Sequence, residues 1–238
     1  MSDLPPYLSL SERIWYYAFR ILCGAIFFFL VFPLVVIIPL SFNAVPFFTF
    51  TKEMLAFDPA GYSLKWYEDF FTNLNWQGAV QNSVIIAIFS TLISTTLGTL
   101  AALGLSRAQM PYRTLIMSIL ISPMIVPLII SAAGMFFFYS RIGIQGTHIA
   151  VILAHAALGT PFVVITVTAT LSGFDNNLIR ASSSLGAPPS TTFFKVIVPL
   201  ITPGVISGAL FAFITSFDEV VVVLFVGSYR QRTIPWQM

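Results

Sequence analysis

The chain has 238 residues, of which 57% are hydrophobic and only 8% charged, with a formal net charge of +2. Soluble domains carry roughly a quarter charged residues, and a water-facing fold of this length has too little polar surface to cover so much apolar mass. Composition therefore excludes a soluble globular protein, and the scattered basic residues form no patch suited to nucleic acid.

Residues 1–20 read as an N-terminal tail, and five apolar stretches follow, near 21–42, 80–105, 115–139, 149–171 and 201–226. Each is long enough to cross a hydrocarbon core, which takes about 20 helical residues. The runs are continuous, not alternating, so helices and not barrel strands are expected. The fold class is therefore all-α, a polytopic transmembrane helical bundle, with its membrane domain over 21–227. The first stretch is too long for a signal-peptide core and has no small-residue cleavage site behind it, so it is expected to be retained as a span. Cys23, the single cysteine, lies inside it as a lipid-facing or core residue and leaves no disulfide to form.

The polar region 43–79 is expected to be an external loop whose Trp66, Tyr67 and Trp76 anchor at headgroup level. With the N-terminus in the cytoplasm, Arg13, Arg20, Arg107, Arg113, Arg180 and Lys195 fall inside. Lys52, Lys65, Arg141, Arg230 and Arg232 then fall outside, so the bias is slight, and the short turn SRAQMPYR at 106–113 is its best support.

Signals of chemistry are sparse. No segment matches the phosphate-cradling loop G-x-x-x-x-G-K-[ST], and no lysine follows a glycine, so the chain does not hydrolyse ATP by itself. His148 and His155 have no His, Cys or carboxylate at ligand spacing, which points to no metal and no cofactor. His155, inside a span, is expected to hydrogen-bond a neighbouring helix, with acid–base chemistry the alternative. No nucleophile elbow surrounds the serines at 182–184. Gly98, Gly104, Gly134, Gly159 and Gly208 are read as close-packing positions without chemistry.

The polar insert DNNLIRASSSLGAPPSTTFFKVIVP at 175–199, within a loop at 172–199, separates two strongly apolar segments. Ser172 and Gly173 suit a helix stop, and Asp175 or Asn176 can cap a short helix. Leu178, Ala181, Ser182 and Leu185 recur at three- and four-residue spacing and are expected on one face. Gly186 can end that helix, Pro188 and Pro189 stop its continuation, and Ser190 can cap a second helix carrying Phe193, Phe194 and Ile197. Pro199 and Pro203 are expected to bend the chain into the fifth span. From these residues alone the insert is either an amphipathic connector on the membrane or a docking element.

The insert resembles the EAA loop of type I ABC-importer permeases, a pattern of Glu-Ala-Ala, three residues, Gly, nine residues, Ile, one residue, Leu-Pro. Here it reads Arg180-Ala181-Ser182, Gly186 and Val196-Ile197-Val198-Pro199 with that spacing. YSLKWYEDFF at 62–71, the run from Asn82 to Arg107, ALGTPFVV at 157–164 and SGALFAFITSFDEVVV at 207–222 are similar to spermidine/putrescine-type permeases. The resemblance implies an inner-membrane subunit of a bacterial importer with a cytoplasmic coupling helix. It also implies three partners: a cytoplasmic ABC ATPase dimer, a second homologous permease subunit and a periplasmic solute-binding protein.

By that resemblance Asp175, Leu178, Arg180, Ala181, Ser182, Leu185, Gly186, Ala187 and Pro199 belong to the ATPase-docking loop. Two departures are visible. Arg180 stands in place of the family's acid, with Ile179 before it and Ser182 in place of the second alanine, so the charge at the docking surface is reversed. Family members also carry one more span after 228–236, so 228–238 is expected to be an external tail truncated before a sixth span.

Asp218 and Glu219 are adjacent acids inside the fifth apolar segment, counted as lying in its outer half. They either line a solute path and favour a cation such as a polyamine, or make a structural contact with the other permease subunit. The alternatives to an importer subunit are a stand-alone carrier or channel, which needs no docking helix, and a membrane-embedded enzyme.

Overall fold

Hydrocarbon offers a backbone no hydrogen-bond partner but itself, so a chain of this composition must fold as helix wherever it meets lipid. The computed structural model describes residues 9–107, 109–175 and 177–238, and Asn176, one of the two expected caps, lies outside them. Among the described residues four helices are long and apolar enough to cross a membrane, and a bent pair makes five if it counts as one span. The chain divides into two compact units at Asn73/Leu74.

In the first unit, helix α1 (Leu10–Leu40) begins at a reciprocal cap. The Ser9 hydroxyl accepts from the Glu12 N–H, and the Glu12 carboxylate accepts from the Ser9 N–H at 2.8 Å. The polar stretch that follows folds as α2 (Lys52–Leu55), a 3-10 turn (Pro59–Gly61) and α3 (Lys65–Thr72) around buried Asn43. The Asn43 amide donates to the carbonyls of Phe47 and Thr49 at 2.9 and 2.8 Å, and its own backbone carbonyl accepts from the Trp66 indole N–H at 2.8 Å. The Tyr67 hydroxyl lies 2.6 Å from that of Ser41. These two aromatics are therefore working parts of a folded loop.

In the second unit, α4 (Leu74–Leu105) is followed by α5 (Arg113–Ile125) and α6 (Leu128–Arg141). The expected continuous third span is broken here by a bend of 103°. Pro127 has no N–H to give the Pro123 carbonyl and forces Val126 into extended backbone (φ −69°, ψ 134°). Helix α7 (His148–Ser172), stopped at Gly173 as the composition suggested, is the central element and packs against α4 on one side. The elbow α8 (Asn177–Ser184) and α9 (Pro189–Thr192) follows, then a π turn (Phe193–Ile197) and α10 (Val198–Asp218), which packs against α7 and α4. A short α11 (Val221–Val226), a 3-10 turn (Tyr229–Gln231) and α12 (Ile234–Gln237) complete the unit. The fifth span thus ends at Asp218 and does not run on to 226.

Small residues set the closeness of the central trio. A Cβ on Gly98 would sit 2.7 Å from Val163 Cβ, one on Gly208 2.8 Å from Val163 Cα, and one on Gly159 3.0 Å from Ala212 Cβ. These three are packing glycines as expected. Gly104 and Gly134 are not, because an added Cβ meets only Met110 Sδ at 3.9 Å at the first and nothing within 4 Å at the second.

At the far end of α4 the segment after α11 is tied back to the bundle. The Asn82 amide donates to the carbonyls of Arg230 and Arg232, both at 2.9 Å, while its oxygen faces His148 Nε2 at 2.9 Å. Ser83 accepts from the Ile234 N–H at 2.8 Å. The starts of α4 and α7 and the residues after α11 therefore share one end of the bundle, as helices crossing alternately require.

Replacing Gly208 with Leu must push α10 off α7, and overpacking of this kind costs about 1–3 kcal/mol. A thermal melt in detergent should show a lowered midpoint for Gly208→Leu and none for Gly134→Ala.

Candidate functional site

The insert forms the elbow that its punctuation implied. Asp175 accepts from the Asn177 N–H at 2.9 Å and so opens α8. At the other end Gly186 takes φ +79°, the left-handed conformation that glycine adopts without strain. Its N–H bonds the Ser183 carbonyl at 3.0 Å and the Ala187 N–H bonds the Ser182 carbonyl at 3.1 Å, the paired closure of a left-handed helix stop.

Three details differ from the sequence reading. Ser182 does not share the exposed face of Leu178, Ala181 and Leu185: it turns inward, and its hydroxyl lies 2.7 Å from that of buried Thr192, clamping α8 to α9. The second helix starts at Pro189 with Pro188 as its cap, so Ser190 lies inside it. Pro199 and Pro203 do not interrupt the helix, which is continuous from Pro189 to Asp218. The π turn absorbs Pro199 by letting the Val198 N–H reach back to the Phe193 carbonyl.

What the elbow offers outward is Leu178 and Leu185, 43% and 88% exposed, with Ala181 between them and Arg180 beside them. Ala187 is half-buried and Pro199 exposed. An exposed Leu-Ala-Leu face on a clamped helix presents a small apolar patch with a positive edge.

The acids of the last span separate into two roles. Glu219 is buried, in extended backbone (φ −75°, ψ 125°), and its Oε1 accepts from the Val222 N–H at 2.9 Å. It thereby satisfies a free donor at the start of α11. Asp218 is exposed in the last turn of α10, the negative end of the helix dipole, where a carboxylate is disfavoured by about 0.3–1 kcal/mol.

Two residues before Asp218, a buried bracket joins three helices. The Ser90 hydroxyl donates to Ser216 Oγ at 2.8 Å, and Ser216 Oγ lies 2.9 Å from His155 Nδ1. Ser94 donates to the carbonyls of Ser90 and Ala156 at 2.7 and 3.0 Å. His155 therefore bonds a neighbouring helix, as its place in a span suggested. The serines were not singled out from sequence, although Ser90 and Ser94 stand one helical turn apart on one face.

An all-helical membrane bundle with an exposed helical elbow between two spans is the build of a type I ABC importer permease. The chain belongs to the binding-protein-dependent transport system inner membrane component family, whose model matches residues 94–236. It is 31% identical over 210 residues to the spermidine/putrescine transport system permease protein PotC of Haemophilus influenzae, covering 88% of this chain and 79% of that one. It is 28% identical over 216 residues to the putrescine transport system permease protein PotI of Escherichia coli, covering 88% of this chain and 74% of that one. The structure of a bacterial ABC transporter involved in the import of the acidic polysaccharide alginate matches with a TM-score of 0.73, over 98% of this chain and 81% of that chain, at 16% identity. The protein is thus a multi-pass inner-membrane transport subunit, and the last match speaks for its fold alone.

Ser216→Ala would leave His155 and Ser90 without their shared partner, at a cost of about 1 kcal/mol. Its unfolding midpoint in detergent should fall below that of Ser207→Ala, an exposed serine on the same helix. Equal midpoints would contradict the bracket's role.

Proposed function

We propose that this subunit forms half of the pathway of an ATP-driven importer for a polyamine, with Asp218 meeting the cationic solute. The observation that carries the solute reading is the division of labour at 218–219. Glu219 is committed to the α11 backbone, whereas Asp218 is exposed at the negative end of α10 with no such duty. A carboxylate held against a helix dipole gains most from a passing cation. The names of the two permease relatives agree with that chemistry.

In this reading a cytoplasmic ATPase dimer docks on the elbow through Leu178, Ala181 and Leu185, with Asp175 and Gly186 fixing the helix ends and Ser182 holding α8 to α9. Arg180 requires an acidic rim on the ATPase groove, because a basic one would repel it. A second permease subunit completes the pathway, a periplasmic binding protein delivers the solute, and the N-terminus lies in the cytoplasm.

Uptake of radiolabelled putrescine should fall about tenfold in Asp218→Asn, the loss that one charge contact produces, while the assembled complex is recovered intact. Leu185→Glu should instead lose the ATPase on affinity purification. Unchanged uptake and solute preference in Asp218→Asn would remove the acid from the pathway. Recovery of the chain alone, with transport independent of ATP, would favour a carrier.

A further inference from the structure

We infer that the cleft at the break of the third span is a binding subsite for an organic ammonium group. The inference rests on the proposed cationic solute for the identity of its natural occupant, but its chemistry is legible without that reading.

A break in mid-span leaves backbone groups that α-helix would have satisfied. The Val126 N–H bonds the Ser122 carbonyl at 3.0 Å, and the Ile130 and Ser131 N–H groups bond the Pro127 carbonyl at 2.9 and 3.2 Å. The carbonyls of Pro123, Met124 and Ile125 find no backbone donor among the described residues, and of these three residues Pro123 borders the cleft at this break. Unmet carbonyls at membrane depth are tolerated only where they line a cavity or are covered by protein. They also form the negative end of α5, and unwound carbonyls with half-helix C-termini are the groups that hold cations inside membrane bundles.

A cleft of about 350 Å³ opens at this break. Its walls include Ser122, Ser131, Gly134, Phe138 and Tyr139. Tyr139 is only 8% exposed, and what remains accessible borders the cleft. A phenol oxygen at the wall of a cleft can accept from a ligand's N–H. The rings of Phe138 and Tyr139 lie 5.6 Å apart, and aromatic faces attract ammonium groups. Ser122 donates its proton to the Ile119 carbonyl at 2.7 Å and so faces the cleft as an acceptor. Carbonyl ends, hydroxyl acceptors and aromatic faces, with no basic residue in the wall, select a cation.

The cleft is also joined mechanically to the acids. Helix α11, opened by Glu219, packs on α6, and Val222, Val223 and Val226 share a core cluster with Ala132 and Tyr139. The short helix that follows the Asp218 carboxylate therefore meets the broken span that carries the uncharged cradle. A diamine carries two ammonium groups and suits two such subsites.

The test uses the full chain in its assembled transporter, in native membrane vesicles, with Cys23→Ala and Gly134→Cys. A Cβ at Gly134 meets nothing within 4 Å, so the substitution is tolerated. Alkylation is compared between a trimethylammonium and a sulfonate methanethiosulfonate, each normalised to a free thiol. The cationic reagent should react about tenfold faster relative to the anionic one than at an exposed Leu74→Cys control, the discrimination expected of a partly buried helix end. Tyr139→Phe should reduce that ratio. Equal ratios at the two introduced thiols, no labelling at all of Gly134→Cys, or no effect of Tyr139→Phe would overturn the inference. Millimolar putrescine should slow the labelling. Cation preference without putrescine protection would uphold the ammonium subsite and count against the polyamine reading.

Discussion

Inside a bilayer each interruption of a helix must be compensated by the protein itself, because no water is present to do it. Among the described residues one apolar span is broken at Val126–Pro127, and the fifth span stops at Asp218–Glu219 before a short further helix. The second break is repaired locally by the Glu219 side chain. The first is repaired only in part, and the carbonyls left over are the ones that face the need for a ligand.

The elbow and the breaks are connected through one rod. Helix is continuous from Pro189 to Asp218, so the inner arm of the elbow and the fifth span form one helical rod. The π turn at Phe193–Ile197 allows this despite Pro199. Force arriving at α8 passes through the Ser182–Thr192 contact into that rod. Along the rod, Gly204, Gly208 and the Ser216 bracket hold it against α7 and α4. At its end lie Asp218 and then α11, which packs on α6. The proposed solute contacts thus lie at and just beyond the end of this rod, the second of them across the extended residue Glu219.

Much of this is legible from residues alone. Apolar runs of twenty or more mark the crossings, and Gly186 with its flanking prolines marks the turn of the elbow. Other features carry a signal that the reading of apolar runs hides. Pro127, four residues after Pro123, denies the Pro123 carbonyl its helical bond and announces the broken span. Glu219 before a run of valines is a start signal for a new helix, not the interior of an old one. The inward turn of Ser182 has no such signal, because its spacing puts it near the exposed face and its partner Thr192 comes only after the turn. The Asn82 clamp is equally hidden, since it joins residues about 150 positions apart and side-chain amides carry no periodic signal.

Coupling to an ATPase requires the elbow to lie at the cytoplasmic face, opposite the end where the start of α4 lies. With Cys23 removed, a cysteine introduced as Leu185→Cys should react with a membrane-impermeant maleimide in everted vesicles stripped of peripheral proteins, and not in intact spheroplasts. Leu74→Cys should do the reverse. Labelling of Leu185→Cys from the outside would put the elbow beyond reach of any cytoplasmic ATPase and contradict the account.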